Sequence, residues 1–392
     1  MSERVALRPN DGLTSNIRDF LDRGRPATPC LVVDLDVVAR RYRQLRELWP
    51  DSRICYAVKA NPAPEILRLL SGLGAEFDVA GPAEIALCLA AGAEGERLSY
   101  GNTIKKAADI AFAHAHGVRR FTTDSAGDLH AIAQHAPGAS VFCRILVQPA
   151  GSATPFGRKF GCDPAMAMEL LRAAAELGLR PAGVAFHVGS QHTDPAAWAE
   201  GIAQAALIGD TLATAGITLA ELNIGGGFPV GYRTEVPAPA ACAMAIRRAV
   251  DANFRTTPAI VLEPGRAIVA EAGVLRAEVV LVSRKSSTDS HRWVYLDVGR
   301  YGGLAETEGE AIAYRLATAY DGEPDGPVVL AGPTCDGDDV IYQHTDYRLP
   351  LRLAAGDRVD ILAAGAYTAS YSSVAFNGFA PLPTYCVSGK SE

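Results

Sequence analysis

Tyr56-Ala57-Val58-Lys59-Ala60-Asn61 is the stretch whose reading decides the fold. Ile54 to Ala57 run apolar or aromatic without a helical period, as a short buried strand does. A lysine follows where the strand should end, and Asn61-Pro62 forces a break. A long cationic side chain at the exit of a buried strand is costly unless it is used. A desolvated lysine loses its charge readily and is then a good nucleophile toward an aldehyde. The plain alternative is a lysine that snorkels to the surface beside a turn.

Working outward from this strand, an alternation runs for over two hundred residues. Short apolar strands are predicted at about 54–59, 76–80, 97–101, 119–124, 141–146, 183–188, 221–225 and 259–263. Ala-rich amphipathic helices lie between them. Pro82 stands at a helix start and Gly92 just past its end. Asp124-Ser125 is expected to cap a helix, Asp163-Pro164 to open one that Gly178 closes, and Asp194-Pro195 to open another. Eight strands with intervening helices predict an α/β fold with a parallel sheet, and the count suggests a closed (β/α)8 TIM-like barrel. An open doubly wound sheet fits the same pattern.

The flanks differ. Residues 1–28 are polar and carry Gly and Pro, as an N-terminal arm packing on the β domain or lying loose. Cys30–Leu35 reads as a strand, and Asp36 as the cap of a helix to about Trp49. After Arg266 come short β-like segments, Gly273–Val282, Trp293–Val298, Pro327–Leu330, Arg358–Leu362 and Pro383–Val387, with one helical piece near 306–316. This texture predicts an all-β C-terminal domain. The expected division is an arm at 1–28, a barrel at 29–270 and a β domain at 271–392.

The chain has 392 residues, 48% hydrophobic and 21% charged, enough for two folded domains. A formal charge of −7 argues against nucleic acid as a partner, because phosphate backbones call for a basic stripe. The eight cysteines form no CxxC pair, and the eight histidines form no HxxxH spacing, so neither a metal site nor a disulfide framework is expected. Scattered thiols without an apolar leader predict a cytoplasmic location. No apolar run is long enough to predict a membrane span.

In a barrel, the strand C-termini open on one face, and that face holds the site. Those ends carry Lys59, Asp78, Arg144, His187-Val188-Gly189-Ser190, Gly225-Gly226-Gly227 and Glu263-Pro264-Gly265-Arg266. Singly, each has a bland reading: a rim histidine, a tight glycine loop, a local ion pair at a turn. Together they fit one ligand. Backbone N–H groups at Gly227 and Gly265, aided by Arg266, can cradle a phosphate. An imidazole can lie flat on an aromatic ring. A carboxylate can hold a protonated ring nitrogen, and a lysine can condense with an aldehyde. Those are the requirements of pyridoxal 5′-phosphate.

Seven motifs in order then resemble the ornithine decarboxylase family, the alanine-racemase-like group of pyridoxal-phosphate enzymes. They are the hexapeptide at 56–61, Phe186-His187-Val188-Gly189-Ser190, Gly225-Gly226-Gly227-Phe228-Pro229, Glu263-Pro264-Gly265-Arg266, Gly332-Pro333-Thr334-Cys335-Asp336-Gly337, Gly365-Ala366-Tyr367-Thr368 and Phe376-Asn377-Gly378-Phe379. The resemblance implies that Lys59 bonds to the cofactor aldehyde, His187 stacks on the ring and Glu263 pairs with the ring nitrogen. It places Ser190, Gly227, Gly265, Arg266 and Tyr367 on the phosphate, with Asp78 and Arg144 near the lysine and cofactor. It makes Cys335 the proton donor and Asp336 a substrate contact, both reaching the other subunit's cofactor, so that the active unit is a homodimer. Tyr314, Arg315 and Phe376 fall at substrate positions.

The implied activity is decarboxylation of a basic L-amino acid, ornithine first and lysine second, to the diamine of polyamine biosynthesis. One position departs from the pattern. Arg315 stands where ornithine decarboxylases often carry an aspartate, and it would repel a terminal ammonium by about 1–4 kcal/mol at close range. Either it points away, leaving Asp336 with Asp338 or Asp339 to bind the amine, or the substrate ends in a carboxylate that a guanidinium can grip. A regulatory relative without activity is the third reading.

Overall fold

The computed structural model describes residues 13–147, 149–154 and 158–389. They form two compact units. The first comprises mainly Ala39–Pro229 and Val236–Ala267; the second holds the described residues up to Val38, Val230–Glu235 and the chain from Ile268 onward.

The first unit is a closed barrel of eight strands: Arg53–Ala57, Glu76–Val79, Leu98–Tyr100, Arg120–Thr123, Ser140–Arg144, Arg180–Ala185, Glu221–Asn223 and Ala259–Leu262. Every neighbouring pair is parallel, including the closing pair of the last strand with the first. Closure excludes the doubly wound alternative. Strands buried on both faces read as continuous apolar runs, and these do: Ile54, Cys55, Tyr56 and Ala57 are all buried.

Charges at the two rims of the barrel have different uses. Five strands begin with an ionic residue, and four of these, Arg53, Glu76, Arg120 and Glu221, pair with one another. Arg53 Nε donates to Glu76 Oε1 at 3.0 Å, Arg53 Nη1 to Glu221 Oε2 at 3.2 Å, and Arg120 Nη1 to Glu76 Oε2 at 3.3 Å. This chain of ion pairs, Glu221–Arg53–Glu76–Arg120, lies at the N-terminal mouth. The C-terminal mouth carries the candidate site.

Helix ends follow local chemistry. The Asp163 carboxylate accepts from Met166 N at 2.9 Å and starts Pro164–Glu176. Asp194 caps only a 3-10 turn, and the helix proper is Trp198–Ala213. Two expected caps are corrected. Asp34, not Asp36, receives the N–H at the start of Leu35–Leu48, because its Oδ1 lies 2.9 Å from Asp36 N. Ser125 makes no side-chain cap, and Asp124 accepts instead from Gly161 N at 2.8 Å, serving the loop across from it.

The second unit is a mixed eight-stranded sheet. Its path runs Arg315–Thr318, Arg358–Leu362, Gly273–Ser283, Arg292–Leu296, Asp325–Ala331 and Val340–Pro350. Cys30–Asp34 pairs antiparallel with Gly273–Ser283 and parallel with Thr384–Val387. The expected boundary at residue 29 is therefore wrong: this strand belongs to the sheet, not the barrel. A five-residue strand buried throughout looks the same locally whichever sheet receives it. Part of the expected arm is the helix Ser15–Gly24, whose Ile17 and Leu21 pack on Cys30, Val32, Val274 and Leu362. Residues 1–12 lie outside the described residues.

Two further expectations change. The helical piece near 306–316 is a 3-10 turn at Ala305–Glu310 followed by the strand Arg315–Thr318. The strand Val340–Pro350 escaped the sequence reading because Gln343-His344-Thr345-Asp346 breaks its alternation. There Glu310 accepts from the backbone N–H of Gln343, His344 and Thr345 at 2.6–2.7 Å. Burial pushes that carboxyl up, but these bonds and the Thr345 hydroxyl outweigh it and bring the pKa down to about 2.

Gly183 marks a close approach of two barrel strands. A Cβ there would overlap the Glu221 carbonyl oxygen, beside the register shift at Val141/Phe142. Gly183→Ala is expected to cost about 3 kcal/mol, read as a lower denaturant midpoint in urea unfolding.

Candidate active site

The polar groups at the C-terminal mouth of the barrel come together as pairs. Lys59 lies in a 3-10 turn, Val58–Ala60, directly after the first strand. Its Nζ is 3.3 Å from Oδ2 of Asp78 on the second strand, whose side chain is only 5% exposed. Register explains the meeting, because Ala57 pairs with Asp78. Asn61 ends the turn, and its carbonyl accepts from the Tyr56 hydroxyl at 2.9 Å.

Glu263 follows the eighth strand. Its Oε1 accepts from Asn223 Nδ2 at 2.6 Å, and Asn223 Oδ1 accepts from Gly225 N at 2.9 Å. The motif reading missed Asn223. A buried asparagine ending the seventh strand was the available signal. Burial first, and then the Asp78 carboxylate, push the Glu263 pKa up to about 7 against the opposing pull of Asn223, Lys59 and Arg144. Glu263 therefore shares one electrostatic neighbourhood with Lys59, Asp78 and Arg144.

His187 follows the sixth strand, and its Nδ1 accepts from Gly189 N at 2.9 Å. That places the ring proton on Nε2. Burial, then the cations Arg144 and Lys59, hold its pKa well below the usual range, so the ring is neutral. Arg144 ends the fifth strand with its guanidinium 4.9 Å over the Phe160 ring.

The glycine run is a cradle. Gly227 has φ +93°, and a Cβ there would lie 2.5 Å from the Gly189 carbonyl oxygen. A Cβ at Gly226 would lie 2.6 Å from the Glu263 carbonyl oxygen and 3.2 Å from His187 Nε2. Side chains are excluded, which leaves backbone at the surface. Arg266, next to Gly265, donates to Ser190 Oγ at 3.0 Å.

The remaining candidates lie in the second unit. Cys335 is exposed, and its N–H donates to Asn377 Oδ1 at 3.0 Å. Asp336 accepts from Asp338 N at 2.9 Å. Phe376 packs on Tyr301 with ring centroids 4.7 Å apart. Asp339 is corrected as an amine ligand. It is buried and holds its own turn, accepting from Arg300 N at 2.8 Å and from Thr334 Oγ1 at 2.7 Å. Tyr314 is buried edge-on to Tyr232 at 5.3 Å, and its carbonyl accepts from the Tyr347 hydroxyl at 2.6 Å. Arg315 starts the next strand opposite Leu362. Tyr367 has φ +55° in the turn after that strand's partner.

A family profile described as the pyridoxal-binding domain of pyridoxal-dependent decarboxylases matches residues 35–270. This chain belongs to that family. The decarboxylase is 37% identical over 369 residues to a lysine/ornithine decarboxylase of Selenomonas ruminantium, covering 94% of this chain and 92% of that protein. It is similar to a solved Vibrio vulnificus lysine/ornithine decarboxylase complexed with cadaverine, with TM-score 0.84, 31% identity and 95% of each chain covered. It is also similar to the arginine decarboxylase of Paramecium bursaria Chlorella virus bound to agmatine, with TM-score 0.85, 28% identity, and 94% of this chain and 100% of that one covered.

The donor set of the decarboxylase fits pyridoxal phosphate. One amine has a carboxylate beside it, and a glycine cradle has an arginine and a serine alongside. A neutral imidazole can face a ring, and Glu263 can face a ring nitrogen.

Without cofactor, the raised Glu263 carboxyl binds its proton more tightly folded than unfolded. Its contribution is therefore most favourable below the unfolded pKa of about 4.3 and declines as pH rises to about 7. Urea unfolding of cofactor-free protein is expected to show Glu263→Gln gaining on wild type by about 2–3 kcal/mol across that window.

Proposed function

We propose that this decarboxylase acts on a basic L-amino acid, L-ornithine first and L-lysine second, releasing carbon dioxide and the diamine. Its active unit is a homodimer in the cytoplasm, serving polyamine biosynthesis. The observation that carries the reading is Glu263, an acid held by Asn223 in the electrostatic field of Lys59. Racemases resembling this fold place an arginine opposite the ring nitrogen, which does not keep that nitrogen protonated.

When bound, pyridoxal phosphate supplies an aldehyde for an amine and a ring that withdraws electrons from the carbon losing its carboxylate. Asp78 holds the Lys59 ammonium in place. Glu263 keeps a proton on the ring nitrogen, since a carboxylate stabilises a facing cation. His187, being neutral, can face a cationic ring without repelling it. Ser190, Gly227, Gly265 and Arg266 would hold the phosphate through backbone N–H groups, a hydroxyl and a guanidinium.

Cys335 of the partner subunit gives a proton from Sγ to the carbon that has lost carbon dioxide. Asp336 of the partner subunit accepts the distal ammonium of the substrate. The roles that resemblance gives Tyr314, Arg315, Phe376 and Tyr367 are part of the same proposal. Named relatives that act on lysine, ornithine or arginine support the basic-substrate class.

A second reading is favoured by Arg315: a substrate with a distal carboxylate, met bidentately by the guanidinium. Carbon dioxide release from ornithine, lysine, arginine, glutamate and diaminopimelate separates the two. Turnover of ornithine above lysine is expected, and turnover of only the carboxylate-ended substrates would overturn the first reading. Borohydride treatment is expected to abolish the visible absorption and label Lys59. Cys335→Ala is expected to lower kcat about 10²-fold or more with little change in cofactor content, measured by single-turnover kinetics.

A further inference from the structure

The loop after the third barrel strand is anchored by a lysine to which the chemistry above gives no part. The Lys105 side chain has 0% exposure. Its ammonium donates to the Asn102 carbonyl at 2.9 Å, the Thr122 carbonyl at 2.8 Å and Asp128 Oδ2 at 2.7 Å. An ammonium has three N–H groups, so these three acceptors complete its set. A buried charge is tolerated only with such pairing, and breaking it leaves polar groups stranded.

What the anchor holds is a wall. Gly101 precedes Asn102, and its N–H donates to the Val79 carbonyl at 3.1 Å. The Asn102 side chain reaches the Ala80 carbonyl at 3.4 Å. The Gly101 backbone lies directly against Asp78, and a Cβ on Gly101 would overlap Asp78 Oδ1. The other oxygen of Asp78 is the one 3.3 Å from Lys59 Nζ. The line of contact runs from Lys105 to Asn102, Gly101, Asp78 and Lys59.

We propose that Lys105 is a positioning residue: by pinning Gly101 and Asn102 against Asp78, it keeps that carboxylate on Lys59 and so sets the proton affinity of the cofactor lysine. The inference rests on the reading of Lys59 as the cofactor lysine. The titratable and charged groups facing Lys59 and Asp78 are Glu84, Arg144, the neutral His187 and Glu263. Those facing Lys105 are Asp124 and Asp128, with the Tyr100 ring 5.7 Å away. Releasing the wall lets Asp78 turn from Lys59, which lowers the lysine's proton affinity. Deleting the cation at 105 acts in the opposite sense through space, so the sign of the change separates the two effects.

The test is a pH titration of the holoenzyme's visible absorption, which reports the proton on the Lys59–cofactor bond, together with cofactor affinity from equilibrium dialysis. Lys105→Met is expected to lower the titration midpoint by about 0.5 unit or more and to weaken cofactor retention. In an Asp78→Asn background the same substitution is expected to move the midpoint by less than about 0.2 unit. Lys105→Gln, which keeps an N–H donor, takes its place if the methionine variant does not fold, with a smaller shift of the same sign. A midpoint that stays put or rises in a folded variant overturns the proposal, as does an equal shift in both backgrounds. A wild-type protein with no visible band would instead refute the reading of Lys59.

Discussion

Lys59 and Asp78, an ammonium and a carboxylate 3.3 Å apart at the ends of adjacent parallel strands, are the contact on which the site depends. Two opposite charges can stand there because the barrel closes with all strands parallel, so every strand exit opens on one mouth. Closure also makes the entry rim a ring of strand starts, and there Arg53, Glu76, Arg120 and Glu221 neutralise one another. The same geometry thus gives one rim whose charges pair along the strand starts and one that gathers the candidate site.

At the reactive mouth, burial and neighbouring charge drive the groups apart in acidity. Glu263 is pushed up by burial and by Asp78, while His187 is pushed down by burial and by Arg144 and Lys59. The imidazole is neutral, and the carboxyl is poised to gain from a facing cation. Perturbed titrations of this kind cluster where chemistry is done. A positive charge facing Glu263 would offset the cost of burying it.

Much of this was legible along the chain, because strand exits, glycines and chemistry-bearing residues are adjacent in sequence. Lys59, His187, the glycines at 225–227 and Glu263 each sit within a few residues of an apolar run, so strand prediction alone places them on one face. What escaped depended on partners distant in sequence. Asn223 reads as one more residue of a short strand until its amide is found on Glu263, forty residues on. Asp336 and Asp339 look alike in the sequence, yet one is exposed at the surface and the other is consumed by its own turn. Lys105 looks like one of two solvated lysines until three acceptors surround it.

The sequence by itself determined the alternation of strands and helices, the β-rich second unit and the candidate residues that the strand exits carry. These follow from hydrophobic period, turn chemistry and motif spacing, all of which are local. Only the tertiary structure decided that the eight strands close, that Cys30–Asp34 joins the sheet rather than the barrel, and that Asp339 holds its own turn while Asp336 stays exposed. Those outcomes are set by pairing between residues far apart in the chain, and an apolar strand or a lone carboxylate carries no local mark of the partner it will meet.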